Sequence, residues 1–207
     1  MKLFGTFRLL IASFCMAVSV AAGAAEFRSE ELNFSIATDE NWALADADVL
    51  KLINQSASQG PIAHARAKGE NATTKAVDSS VLLLCSKLPL GSQQDNPNLI
   101  LAKEKAWSEE FEKSGAGYLK LMQERVKLLR APTKFIGEPK LVKIGDVEFH
   151  QMDAVNTKVA NAETKQQYLC TFRKGYYVYF VLSLNDEKDA DYKNMMGIVR
   201  SFRVPKQ

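Results

Sequence analysis

Apolar and polar side chains alternate at period two through Leu32-Asn33-Phe34-Ser35-Ile36, the pattern of a strand with one buried face. Thr38-Asp39-Glu40-Asn41 follows as a turn leading into Trp42. Val49, Leu50, Ile53 and Ala57 then recur at helical spacing, so a short amphipathic helix is expected over Asp46 to Ala57, with Asp46 or Asp48 at its amino end. Ser58 to Ser80 is small and polar and reads as a loose segment.

Val81 to Leu84 is apolar without alternation and lies between turn-like residues, which predicts a strand covered on both faces, with Leu99-Ile100-Leu101 as its neighbour. From Gly117 to Arg130, Tyr118, Leu121, Met122, Val126 and Leu129 form one stripe of a helix that Pro132 terminates. Reversals at Gly145-Asp146, Val159 to Glu163 and Arg173-Lys174-Gly175 divide the next region into four antiparallel strands. The last of them, Tyr176 to Leu182, is bulky on both faces and must be covered above and below. Asp186 opens a closing helix in which Tyr192, Met195, Met196, Val199 and Phe202 share one side. The elements assemble into an α+β fold, a single domain in which an antiparallel sheet is packed between helices.

The amino terminus changes where this domain is expected to work. Lys2 and Arg8 precede an apolar run from Leu9 to Ala22 that is too short to span a bilayer, and Ala22-Gly23-Ala24 supplies small residues for cleavage. Residues 1–25 are thus read as a secretory signal peptide cut after Ala24 or Ala25, with residues 26–207 as the domain and a periplasmic or secreted destination. Phe14 before Cys15 is too large for a lipoprotein acylation site. The mature chain keeps no transmembrane anchor, and with Lys2 and Arg8 gone its net charge falls to +1, which gives no steering towards nucleic acid.

Export also bears on the cysteines, since Cys85 and Cys170 are the two left after cleavage. An oxidising compartment permits a disulfide that would close a loop of about 85 residues and contribute roughly 4–5 kcal/mol. The other reading is two buried thiols acting as small hydrophobes.

Catalytic patterns are not found. His64 and His150 are the only histidines and stand in no metal-ligand spacing, no G-x-S-x-G elbow occurs, and Cys85 in an apolar strand should have a raised pKa. Gly115-Ala116-Gly117 lacks the lysine and hydroxyl of a phosphate loop and reads as a flexible helix start. Asp186, Glu187, Asp189 and Asp191 lack the glycine and terminal glutamate of a calcium loop. No cofactor is implied. Lys120, Arg125, Lys127, Arg130 and Lys134 form a candidate partner-binding face, against the plainer reading of a solvated helix side interleaved with Glu124.

The segment from Asn33-Phe34-Ser35-Ile36-Ala37 to Trp42, and the ending from Tyr176-Tyr177-Val178-Tyr179-Phe180 through Ile198-Val199-Arg200-Ser201-Phe202-Arg203, resemble the PsbP-like superfamily. That group includes extrinsic subunits of the photosynthetic oxygen-evolving complex, a Ran-binding nuclear import factor and bacterial envelope proteins of unknown role. Asn41 stands where such proteins often carry a proline before the tryptophan. The resemblance implies an α/β/α sandwich and docking onto other proteins rather than catalysis. A non-enzymatic envelope accessory protein with a protein partner is therefore the expectation. The alternative is a small-ligand binder or hydrolase whose site lies under residues 58–80 and engages His64 or His150.

Overall fold

The computed structural model describes residues 25–55, 78–92, 96–106, 112–128, 132–157, 163–184 and 190–205. Strands β1 (Glu26–Ser29) and β2 (Phe34–Ala37) form a two-stranded antiparallel ribbon. The short β3 (Ala43–Leu44) leads into a helix, α1, seen over residues 47–55. There follow β4 (Ser79–Ser86), β5 (Asn98–Lys105), α2 (Gly115–Leu128), β6 (Thr133–Ile144), β7 (Val147–Thr157), β8 (Glu163–Arg173), β9 (Tyr176–Leu184) and α3 (Ala190–Arg200). One antiparallel sheet takes seven strands in the order β3-β4-β5-β9-β8-β7-β6.

Period-two alternation along β9 divides the interior into two cores. Val178, Phe180, Leu182 and Leu184 point to one face, where they meet Leu32, Phe34, Ile36, Trp42, Met195, Ile198, Val199 and Phe202 from the ribbon, the turn after it and the α3 region. Tyr177 and Val181 point to the other, where Tyr118 and Leu119 of α2 pack with Phe135, Met152, Ala154, Tyr168 and Cys170. Both faces are thus covered, as the bulk of the strand requires. Phe202 stacks on Phe34 at 4.8 Å and meets Phe149 edge-on at 5.4 Å, so the chain end locks the ribbon to the sheet. Arg173 adds a bond from its Nε to the Leu32 carbonyl at 3.1 Å.

Local chemistry explains the turns. Asp39 Oδ1 accepts from the Asn41 amide at 2.8 Å and holds the reversal before Trp42. Asp46 Oδ1 accepts from the Val49 amide at 2.8 Å and caps α1. Lys174 and Gly175 both have positive φ, 45° and 83°, the pairing that a two-residue hairpin with right-handed strand twist demands.

Two expectations are corrected, and of two readings left open for the cysteines one holds. Ser79 and Ser80 belong to β4, which pairs them with Glu104 and Lys103, so the strand begins earlier than its apolar run. Residues 58–77 of the loose segment fall outside the described residues, as do residues 1–24, Arg130 and Asp186. The start of α2 is packed, not flexible: a Cβ on Gly115 would stand 2.1 Å from the Cys170 carbonyl oxygen, so only glycine lets the helix come this close to β8. Finally, Cys85 and Cys170 are free and buried. They belong to opposite cores and their strands are separated by β5 and β9, which excludes a bridge.

Alkylation of the denatured mature protein without reductant is therefore expected to label both Cys85 and Cys170, with no further labelling after reduction. An unlabelled pair that reacts only after reduction would refute the two-core arrangement.

Candidate functional site

The α2 side of the sheet carries most of the residues singled out from the sequence. Ser114 caps the helix, its Oγ accepting from the Gly117 amide at 3.0 Å. Tyr118 and Arg125, seven residues apart, lie on the same side two turns along, and both reach down to Glu104 of β5. The Tyr118 hydroxyl donates to Glu104 Oε2 at 2.9 Å, and Arg125 Nη1 donates to Oε1 and Oε2 at 2.8 and 3.1 Å. Glu104 is buried, so this carboxylate is matched by a cation and a phenol where water is scarce.

Arg125 thereby ties α2 to the sheet, its guanidinium turned to Glu104 and only partly exposed. Its neighbours in sequence gave the signal, since positions 118, 121, 122, 125 and 126 make one continuous stripe. Glu104 left a fainter trace, a charge two positions beyond Ala102 and four beyond Ile100 on the same strand face.

The outer surface is made by the exposed residues of α2 and by β6, the last strand of the sheet. Lys120, Lys127 and Lys134 are exposed, and Lys120 Nζ lies 3.6 Å from Glu138 Oε2 of β6, joining helix and strand into one surface. Among the described residues nothing pairs with the outer edge of β6. Lys140 and Lys143 extend the basic character along it, and Ile136 and Leu141 stand 52% and 60% exposed. The ladder to β7 breaks between Ile136 and Lys140, where Gly137, Glu138 and Pro139 bulge, leaving two usable stretches of free edge. Sequence reading offered Lys120, Lys127 and Lys134 but neither Lys140 and Lys143 nor the edge, because strand order is a long-range property.

The buried thiols and phenols of the sheet are held in their neutral forms. Burial pushes the Cys85 thiol up to about 12 and holds Cys170 well above the usual thiol range, so neither is a ready nucleophile. Burial likewise raises Tyr168 and Tyr179 to about 12 and Tyr118 well above the ordinary phenol value. His150 lies on β7, half-buried, opposite Leu141 and Cys170, with its Nδ1 against the start of α2. His64 is outside the described residues. Among the described residues no three His, Cys, Asp or Glu side chains come together in a metal-holding group, and no helix is long and apolar enough to cross a membrane.

Replacing Arg125 by Ala leaves the Glu104 charge buried and is expected to cost about 2–3 kcal/mol in denaturant unfolding, most of it recovered when Glu104→Leu and Arg125→Met are combined. A double-variant loss equal to the sum of the losses from Glu104→Leu and Arg125→Met alone would show that the pair is not coupled. A second outcome concerns alkali. The neutral phenols are favoured in the fold, so stability is complete below the ordinary tyrosine value of 10.0 and is lost as pH climbs from there past about 12. Thermal unfolding should show that decline, and its absence up to the folded value would contradict the burial of Tyr168 and Tyr179.

No protein-family model matches the sequence, and the curated proteins hold no significant match to it. Solved structures do match. The solution structure of cyanobacterial PsbP (CyanoP) from Synechocystis sp. PCC 6803 superposes with a TM-score of 0.53 at 12% identity, covering 93% of this chain and 98% of that one. A crystal structure from Bacteroides thetaiotaomicron VPI-5482 gives a TM-score of 0.46 at 11% identity over 90% of this chain and 50% of that one. The chain has the PsbP-like fold.

Proposed function

We propose that this protein is a non-enzymatic accessory protein, exported to the cell envelope, that works by docking another protein onto the surface formed by β6 and the outer side of α2. The observation that carries the reading is the free edge of β6. It combines unpaired backbone groups with exposed side chains on both faces of the strand, Lys134, Ile136 and Lys140 on one and Leu141 and Lys143 on the other. An extended partner segment adds to such an edge through main-chain bonds, and acidic side chains on it would answer the lysines. Lys120 and Lys127 widen the same field. Arg130 stays with the proposal on its sequence position alone.

The reading as a non-enzyme is supported by the buried, high-pKa thiols and by the engagement of Glu104 and Arg125 with each other. Export rests on the amino-terminal pattern. Ala25 supports a cut after Ala24: its carbonyl accepts from the Thr38 amide at 2.8 Å and its amide donates to Thr38 Oγ1 at 3.2 Å. Cleavage one residue later would delete both bonds.

Photocrosslinking in the native host tests the docking role. A benzophenone side chain at Ile136 or Leu141 should yield a discrete heteromeric adduct, and exchanging Lys134, Lys140 and Lys143 for Glu should weaken it at least about tenfold while leaving the circular dichroism unchanged. Equal adducts from exposed Lys193 on α3, or no adduct at all, would sink it. The intact mass of the secreted chain is expected to begin at Ala25.

A further inference from the structure

Beyond Ile100, Val181, Tyr168 and Ala154, the α2-facing side of the sheet changes character. The next positions at period two are Asn98, Ser183, Gln166 and Asn156, with Thr164 opposite Asn156. Apolar residues would have extended the core here. Instead these side chains, with Asn96 and Pro97, line a partly enclosed cavity of about 160 Å³ at the end of the sheet. No lining residue is charged.

Part of this polarity is structural. Asn96 is fully engaged with the Leu88 backbone, at 2.8 Å to both its amide and its carbonyl. Asn156 Nδ2 donates to Thr133 Oγ1 at 2.9 Å, Asn98 Nδ2 to the Asn96 carbonyl at 2.9 Å, and Gln166 Nε2 to Ser183 Oγ at 3.4 Å. These bonds fix the groups in place and leave others over. Among the described residues the Thr164 hydroxyl and the carbonyl oxygens of the Asn98 and Asn156 side chains have no hydrogen-bond partner within the protein, and these three residues line the cavity.

We propose that this cavity is a binding site for a neutral, hydroxyl-rich molecule the size of one sugar ring. The class follows from the lining. With no charge present, an ion would lose its hydration without compensation, whereas alcohol groups, each a donor and an acceptor, match a mixture of amides and hydroxyls. The volume far exceeds what one water needs and limits the ligand to a single ring. Pro97 supplies the one apolar wall. Pre-positioned side chains reduce the ordering cost, but so small and open a site sets affinity at a Kd of about 1 mM. The site is separate from the β6 edge and does not depend on docking there.

Titration of the isotope-labelled mature protein followed by backbone and side-chain amide NMR tests this, with D-glucose, methyl α-D-glucoside and glucuronate as probes. The expected result is saturable shifts confined to Asn98, Asn156, Thr164, Gln166 and Ser183 with a neutral probe and none with glucuronate. Thr164→Val should weaken binding about tenfold. Ser183→Ala, which removes a hydroxyl with little change of shape, gives an independent check should that variant fold poorly. Retention of the methyl glycoside assigns the site to a glycan unit, and its loss with glucose retained assigns it to a free sugar. No shifts at about 20 mM of either neutral probe, shifts elsewhere on the surface, or equal binding of glucuronate would overturn the proposal.

Discussion

The structure depends on burying β9 on both faces. Its side chains alternate between two separate apolar clusters, so the strand is stable only if something covers each side. On one side the cover is the ribbon of β1 and β2 together with α3 and Phe202, and on the other it is α2. Each fully buried large side chain contributes about 2–3 kcal/mol relative to exposure, and Val178, Phe180 and Leu182 all reach that limit. Neither helix has a reason to dock without the strand, and the strand is a liability without them.

The two covers are attached differently. The α3 side is held by aromatic packing around Phe202, whereas α2 is fastened by close backbone approach at Gly115 and by the Glu104–Arg125–Tyr118 contact. A buried ion pair adds little net stability but strongly penalises misplacement of either partner. It fixes the register of α2 on the sheet, and through Lys120 and Glu138 the helix in turn adjoins the bulged part of β6.

Much of this was readable along the chain, because hydrophobic period reports burial directly. The unbroken bulk of Tyr176 to Leu182 announced a doubly covered strand, and the stripe from Tyr118 to Val126 announced the helix that covers it. What escaped depends on distance in sequence. Cys85 and Cys170 fall in similar apolar strands, yet their opposite faces are set by pairing across β5 and β9, which no local pattern encodes. Arg125 looked like one more surface cation because its partner, Glu104, lies 21 residues away. Glu26 to Ser29 was not recognised as a strand since its four residues show no apolar alternation long enough to stand out. The polar cavity was hidden for a similar reason, its residues coming from β5, β7, β8 and β9.

Native-state hydrogen exchange followed residue by residue tests the central claim most directly. If β9 is the doubly buried centre, amides from Val178 to Leu182 exchange last, at the rate of global unfolding, while those of β6 exchange by local opening. Exchange of the β9 amides as fast as those of β6 would contradict the two-core account.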